Sequence, residues 1–144
     1  MGVLRNSWLL WSLLSALFAG LTAILAKVGV EGISANLATA IRTTVVLFCA
    51  WLIVLLSRTP LSLSGISRRT WIFLTLSGMA TAFSWVCYFR ALQLGPASKV
   101  APVDKLSVIF AIAMAALFLR EPVTWQQWTG GGLIVAGAVL LALF

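Results

Sequence analysis

The chain has 144 residues, of which 62% are hydrophobic and 9% charged, and its mean hydropathy is +1.09. Soluble domains carry about 25% charged residues, so these proportions exclude a water-soluble globular domain and call for a bilayer. The net charge of +7 and isoelectric point near 10.9 would suggest nucleic acid in a soluble protein. Here the basic residues mark helix ends and a few intramembrane points instead of a surface stripe, which argues against a nucleic-acid ligand. The lack of histidine removes His-ligated metal sites and Ser–His or Cys–His catalysis.

Each spanning helix needs roughly 20 apolar residues, so the chain has room for about five spans and little else. Hydropathy places them near 7–26, 35–57, 71–94, 98–119 and 125–144, a single all-α membrane domain over residues 1–144. The first span follows Arg5 and runs on to Lys27. That is too long for the apolar core of a signal peptide, and a retained helix is expected. Its rows of small residues (Ser15, Ala19 and Ala23; Ser12, Ala16 and Gly20) suit close helix packing. Gly29 to Ser34 breaks the chain, and the second span then carries Arg42 and Cys49. A loop with Pro60 and Gly65 leads into the third span. There Thr81, Trp85 and Tyr88 recur at helical spacing beside Ser84 and Cys87, with Arg90 about one turn from the end. An indole N–H and a phenol O–H at this depth want partners, which a polar-lined cavity or ordinary core packing would supply. Buried thiols are the expected state of Cys49 and Cys87. Gly95-Pro96 opens the fourth span, which holds Lys99, Asp104 and Lys105. After the turn at Pro122, Thr124 and Gln127 fit a capping box for the fifth span. Gly130, Gly131, Gly132, Ala136 and Gly137 on that span fit close packing within the chain or an interface between subunits.

Five spans put the two chain ends on opposite sides. The side of the first residue carries Arg5, Arg58, Arg68, Arg69 and Arg120 in or near loops; the other side carries Lys27 and Lys99. The positive-inside rule therefore places the N-terminus in the cytoplasm. Counting the helix-embedded Arg42, Arg90 and Lys105 evens the balance and leaves dual insertion open. Trp8, Trp11, Trp71, Trp125 and Trp128 fall at the first side's ends, as an interfacial belt should. Trp51 lies about two turns in, and Trp85 is deep in the third span.

Charges at bilayer depth are costly and are usually kept for binding or transport. Arg42 and Asp104 each stand roughly 10 Å inside their helices. Lys27, Arg42, Arg90, Lys99 and Lys105 face Glu31 and Asp104 in that half of the membrane, an excess of positive charge. Lys27, Lys99 and Arg90 can snorkel to headgroups. Arg42 and Asp104 fit either a functional pair or a structural ion pair between the second and fourth spans. Asp104 and Lys105, about 100° apart on a continuous helix, are expected to find separate partners. Asp104 is the one carboxylate at depth and the obvious proton carrier.

The run Ala91-Leu92-Gln93-Leu94-Gly95-Pro96-Ala97-Ser98, then Ala101-Pro102, Phe118-Leu119-Arg120-Glu121-Pro122, Gln127-Trp128 and Gly130 to Gly137, resembles the EamA domain of the drug/metabolite transporter superfamily. Arg42, Tyr88-Phe89-Arg90-Ala91-Leu92 and Pro102-Val103-Asp104-Lys105-Leu106-Ser107 fit the five-span bacterial and archaeal branch. Arg120 departs from that pattern, since relatives often have Gly before the Glu. The resemblance covers nearly the whole chain. It implies a secondary transporter, commonly an exporter of small metabolites, whose first four helices line a cavity and whose fifth packs or dimerises. Most relatives carry two such units in tandem, so a homodimer completing ten helices is implied here, with parallel and antiparallel arrangements both open. The small multidrug exporters of the superfamily use a Glu in the first helix. This chain has no acid there, and with its excess positive charge an anionic or zwitterionic metabolite is expected.

The sequence thus reads as a multi-pass cell-membrane transporter of bacterial or archaeal type, without enzymatic chemistry or cofactor. Arg42, Trp85, Tyr88, Arg90, Asp104 and Lys105 are the candidates for substrate binding or coupling. Gly130, Gly132, Ala136 and Gly137 are the candidates for the dimer interface. A flippase of a lipid-linked substrate and a non-transporting membrane subunit are the alternatives.

Overall fold

The computed structural model describes residues 7–57 and 65–144; Arg5, Arg58 and Pro60 lie outside the described residues. All regular structure among them is helical, with no strand. The elements are α1 (Ser7–Gly29), α2 (Ala35–Leu56), α3 (Arg68–Leu94), α4 (Ala97–Asp104), α5 (Ser107–Met114), a π-helical turn (Ala115–Leu119) and α6 (Trp125–Leu143). They make five stretches long and apolar enough to cross a membrane, the fourth running from Ala97 to Leu119. The spans fall where hydropathy puts them, with ends displaced by no more than three residues. Leu17, Phe48, Phe83 and Leu133, like most large apolar side chains here, are exposed on the isolated chain. In a chain this apolar such faces suit lipid tails.

One compact unit comprises Gly29–Gln93. Gly32 turns the chain with φ +78°, a conformation that glycine adopts without steric cost. Ser34 then caps α2, its Oγ accepting from the Leu37 N–H at 3.2 Å. Gln93 on α3 donates to the Ile33 carbonyl at 2.6 Å, tying the turn to the end of that helix. Ser67 caps α3 by accepting from the Thr70 N–H at 3.1 Å, which starts the helix a turn earlier than Trp71. Val30, Ala35, Ala38, Thr39, Phe89 and Leu92 are buried, all near the turn. The buried Thr39 hydroxyl donates to the Ala35 carbonyl at 2.8 Å, so it is satisfied within its own helix.

The other unit comprises Met1–Val28 and Leu94–Phe144, and in it α6 packs along α4 and α5. The continuous helix expected over 98–119 is interrupted. Pro102 has no N–H to return to the Ser98 carbonyl. Beyond it the ladder tightens: the N–H groups of Lys105, Leu106, Val108 and Ile109 each bond the carbonyl three residues back, all at 3.0 Å. Such 3₁₀ bonding separates α4 from α5 at Lys105 and Leu106. The span ends in the π-helical turn, closed by the Glu121 N–H on the Ala115 carbonyl at 3.2 Å. Arg120 takes the left-handed conformation there, with φ 54° and ψ 32°. The Thr124–Gln127 box is present: Gln127 Oε1 accepts from the Thr124 N–H at 2.7 Å.

Candidate functional site

Arg42 stands about two turns into α2. Its guanidinium carbon lies 4.1 Å from the Trp85 ring centroid and 5.7 Å from that of Phe89. Trp85 and Phe89 are four residues apart on α3, so their rings share one helix face. Tyr88 interacts electrostatically with the same guanidinium. The unit's single carboxylate, Glu31, sits exposed in the turn before α2 and forms no ion pair among the described residues of the unit. Arg42 is therefore held by aromatic faces, as a delocalised and weakly hydrated guanidinium can be. Phe89 is a contributor that spacing could have found, since it lies one turn from Trp85.

Arg90 is tied elsewhere. Its Nη1 donates to Gln93 Oε1 at 3.3 Å, and Gln93 passes the connection to the Ile33 carbonyl. This chain of bonds fixes the α2 entrance, a structural employment that snorkelling alone does not describe. Thr81 donates to the Ser77 carbonyl at 2.9 Å and is satisfied within α3. Cys49 and Cys87 are exposed, not buried.

In the other unit, Lys105 Nζ and Asp104 Oδ2 form an ion pair at 3.2 Å, with side chains 55% and 37% exposed. Separate partners were expected for these neighbours. They are neighbours where α4 gives way to 3₁₀ bonding, and the long lysine side chain reaches back to the carboxylate. The remaining lysines serve helix ends. Lys27 donates to the Gly95 carbonyl at 3.0 Å, and Lys99 to the Ala142 carbonyl at 3.2 Å in the last turn of α6. A cation there meets unsatisfied carbonyls and the negative end of the helix dipole. Of the basic residues counted at depth, Lys27 and Lys99 thus hold backbone carbonyls, Arg90 holds Gln93, Lys105 pairs with Asp104, and Arg42 lies over Trp85.

On α6 the small residues also divide. An added Cβ at Gly131 would lie 2.6 Å from Ile109 Cδ1 and 3.4 Å from Ile112 Cδ1, so this glycine permits the α5–α6 contact. The same test at Gly130, Gly132 and Gly137 meets nothing within 4 Å. Gly132, Ala136 and Gly137 are exposed. Among the described residues no group of three or more Cys, Asp or Glu could hold a metal ion.

Residues 6–143 match the EamA-like transporter family. The chain belongs to that family. It is 50% identical over 141 residues to an uncharacterised transporter from Sinorhizobium sp, covering 98% of this chain and 100% of that protein. An uncharacterised protein of Methanocaldococcus jannaschii is 26% identical over 131 residues, 91% of this chain and 93% of its own length. A probable 4-amino-4-deoxy-L-arabinose-phosphoundecaprenol flippase subunit, ArnE, from Hamiltonella defensa is 32% identical over 74 residues. That alignment spans 51% of this chain and 67% of the flippase subunit. No solved structure matches the chain. The EamA membership and five apolar helices make it a multi-pass membrane protein of a transporter family.

Proposed function

We propose that this EamA protein is a secondary transporter of the cell membrane that exports a small anionic or zwitterionic metabolite as a homodimer. Family membership and the Sinorhizobium relative's name support transport. The observation that carries the substrate's charge is Arg42, stacked on Trp85 with no carboxylate partner in its unit. Trp85, Tyr88 and Phe89 are its platform, and the Asp104–Lys105 pair at the break in the fourth span is the coupling element. Unwound backbone within a span is where transporters of other folds bind substrate and coupling ions. The N-terminus faces the cytoplasm in this reading. Two copies meet through Gly132, Ala136 and Gly137, because one five-span repeat supplies half of the usual paired arrangement. Antiparallel pairing suits the even distribution of helix-embedded basic residues, and the loop residues alone suit parallel pairing.

Proteoliposomes loaded with labelled amino acids, carboxylates and sugar phosphates test this under an imposed proton gradient. Efflux of at least one anionic or zwitterionic solute is expected. Movement of cations alone, or of nothing, would overturn it. The similarity to a flippase subunit favours a second reading, in which the cargo is an anionic lipid-linked substrate. Proteoliposomes carrying a fluorescent lipid phosphate in one leaflet would then show protein-dependent flipping.

A further inference from the structure

Arg42 brings a full positive charge to bilayer depth, and among the described residues of its unit it meets only rings. A ring face attracts a cation through its quadrupole without neutralising it. A guanidinium also carries five N–H donors in one plane, and no acceptor in its unit takes them among the described residues. Buried polar groups ordinarily find partners, and a permanent charge at this depth is retained where it has a use. With the guanidinium carbon over the indole, N–H donors at the edges of its plane remain for a further acceptor. Those edges match two oxygens of one group, which gives the shorter and stronger charge-assisted bonds. The half-buried side chain is open to a ligand.

We propose that Arg42, held over Trp85 and flanked by Phe89, is a receptor for one oxyanion, a carboxylate or phosphate group carried by a soluble metabolite or a lipid headgroup. The inference deepens the transport reading above by naming the group the substrate must bear. It is tested by binding alone, so a failure of transport and a failure of this site are separable. Lysine would not serve equally, because its ammonium lacks the planar fork.

The test uses the whole protein in phosphatidylcholine nanodiscs and reads its thermal unfolding midpoint. One arm adds sodium phosphate or sodium benzoate, with sodium chloride at matched ionic strength as reference. The other arm replaces part of the lipid with phosphatidylglycerol. The midpoint should rise in one arm beyond its reference, since a ligand of the native state stabilises it. A rise with the soluble salts assigns a soluble oxyanion, and a rise with phosphatidylglycerol alone assigns a lipid phosphate. Arg42→Gln should bind roughly 10- to 100-fold more weakly, the usual loss of a hydrogen bond to a charged group. Arg42→Lys should fall between. Where Arg42→Gln fails to fold, Arg42→Lys and Trp85→Leu carry the comparison, and both should weaken binding. The proposal is overturned if the wild type shifts in neither arm, or if all foldable variants shift as it does. It is equally overturned if a shift emerges only in Asp104→Asn, which would make Asp104 the resident counter-ion of Arg42.

Discussion

In the unit built from α2 and α3, charge at depth is a guanidinium laid over an indole, with its donors left to the surroundings. In the unit that holds the fourth span, a carboxylate and an ammonium occupy consecutive residues where the helix gives way. The two arrangements suit different tasks. An arginine stays protonated at any physiological pH, so Arg42 offers a fixed positive charge and cannot act as a switch. A carboxylate can take up a proton, and doing so would release Lys105 and change the charge at a segment whose hydrogen bonds are already irregular. The proposed function accordingly gives binding to the first region and coupling to the second. Substitutions at Asp104, Arg42 and Trp85 test that division, and others at the glycines of α6 and at Arg120 test the packing around it.

The largest effect is expected at Asp104. Asp104→Asn should abolish or uncouple transport while the protein stays folded and inserted, because the exposed Lys105 can turn to water or headgroups instead. Proton-driven flux in proteoliposomes, measured beside circular dichroism, reads both halves of the claim. Full coupled transport by the variant would remove the carboxylate from the coupling role and with it the contrast between the units.

Next comes Gly131, where an added side chain would have to displace the tip of Ile109 on α5. Gly131→Leu should destabilise the protein by about 1–3 kcal/mol, the usual cost of overpacking. Gly132→Leu and Gly137→Leu meet open space within the chain and should leave the monomer's unfolding midpoint nearly unchanged. If two copies pair through that face, these exposed variants should instead shift the protein toward monomer and lower flux together. Single-molecule photobleaching in bilayers gives the stoichiometry. Variants that remain dimeric and active would place the interface elsewhere.

A smaller effect measures the aromatic platform. A double-mutant cycle between Arg42→Gln and Trp85→Leu should return a coupling of about 0.5–2 kcal/mol, the range for a cation over a ring. The Arg42–Phe89 cycle should return less, since that centroid is 5.7 Å away against 4.1 Å. Additive losses in the first cycle would mean that the stacking contributes nothing and that Arg42 is oriented by something else.

Much of the fold was legible because the bilayer imposes one strong requirement, a long apolar stretch for each span, and composition reports it directly. The capping box at Thr124 and Gln127 was legible because its logic is local. The break at Lys105 was foreshadowed by Pro102, yet hydropathy averages over a window and does not register a change from four-residue to three-residue bonding. Facing was the least legible property. Gly130, Gly131 and Gly132 are identical as letters, and rotation about the helix axis alone puts Gly131 against Ile109 and leaves the others open. The same limit hid the stacking of Arg42 on Trp85, since an opposite charge draws the eye before a ring does. It also hid the bonds from Lys27 and Lys99 to distant carbonyls, which depend on where helix ends come together.

The smallest effect lies at Arg120, the one non-glycine residue with positive φ among the described residues. It closes the fourth span just after the π-helical turn, and its left-handed conformation crowds Cβ against the following carbonyl. Glycine carries no such penalty and is the usual residue at this position after a helix. Arg120→Gly should therefore raise stability by about 1 kcal/mol. Arg120→Ala keeps the Cβ and should give little or no gain, which separates backbone relief from loss of the charge. Unfolding midpoints of the two variants in the same lipid decide it. Equal gains would trace the effect to charge. A loss in both would mean that the arginine side chain anchors this end of the span, and that the strain is offset by its contact with the membrane surface.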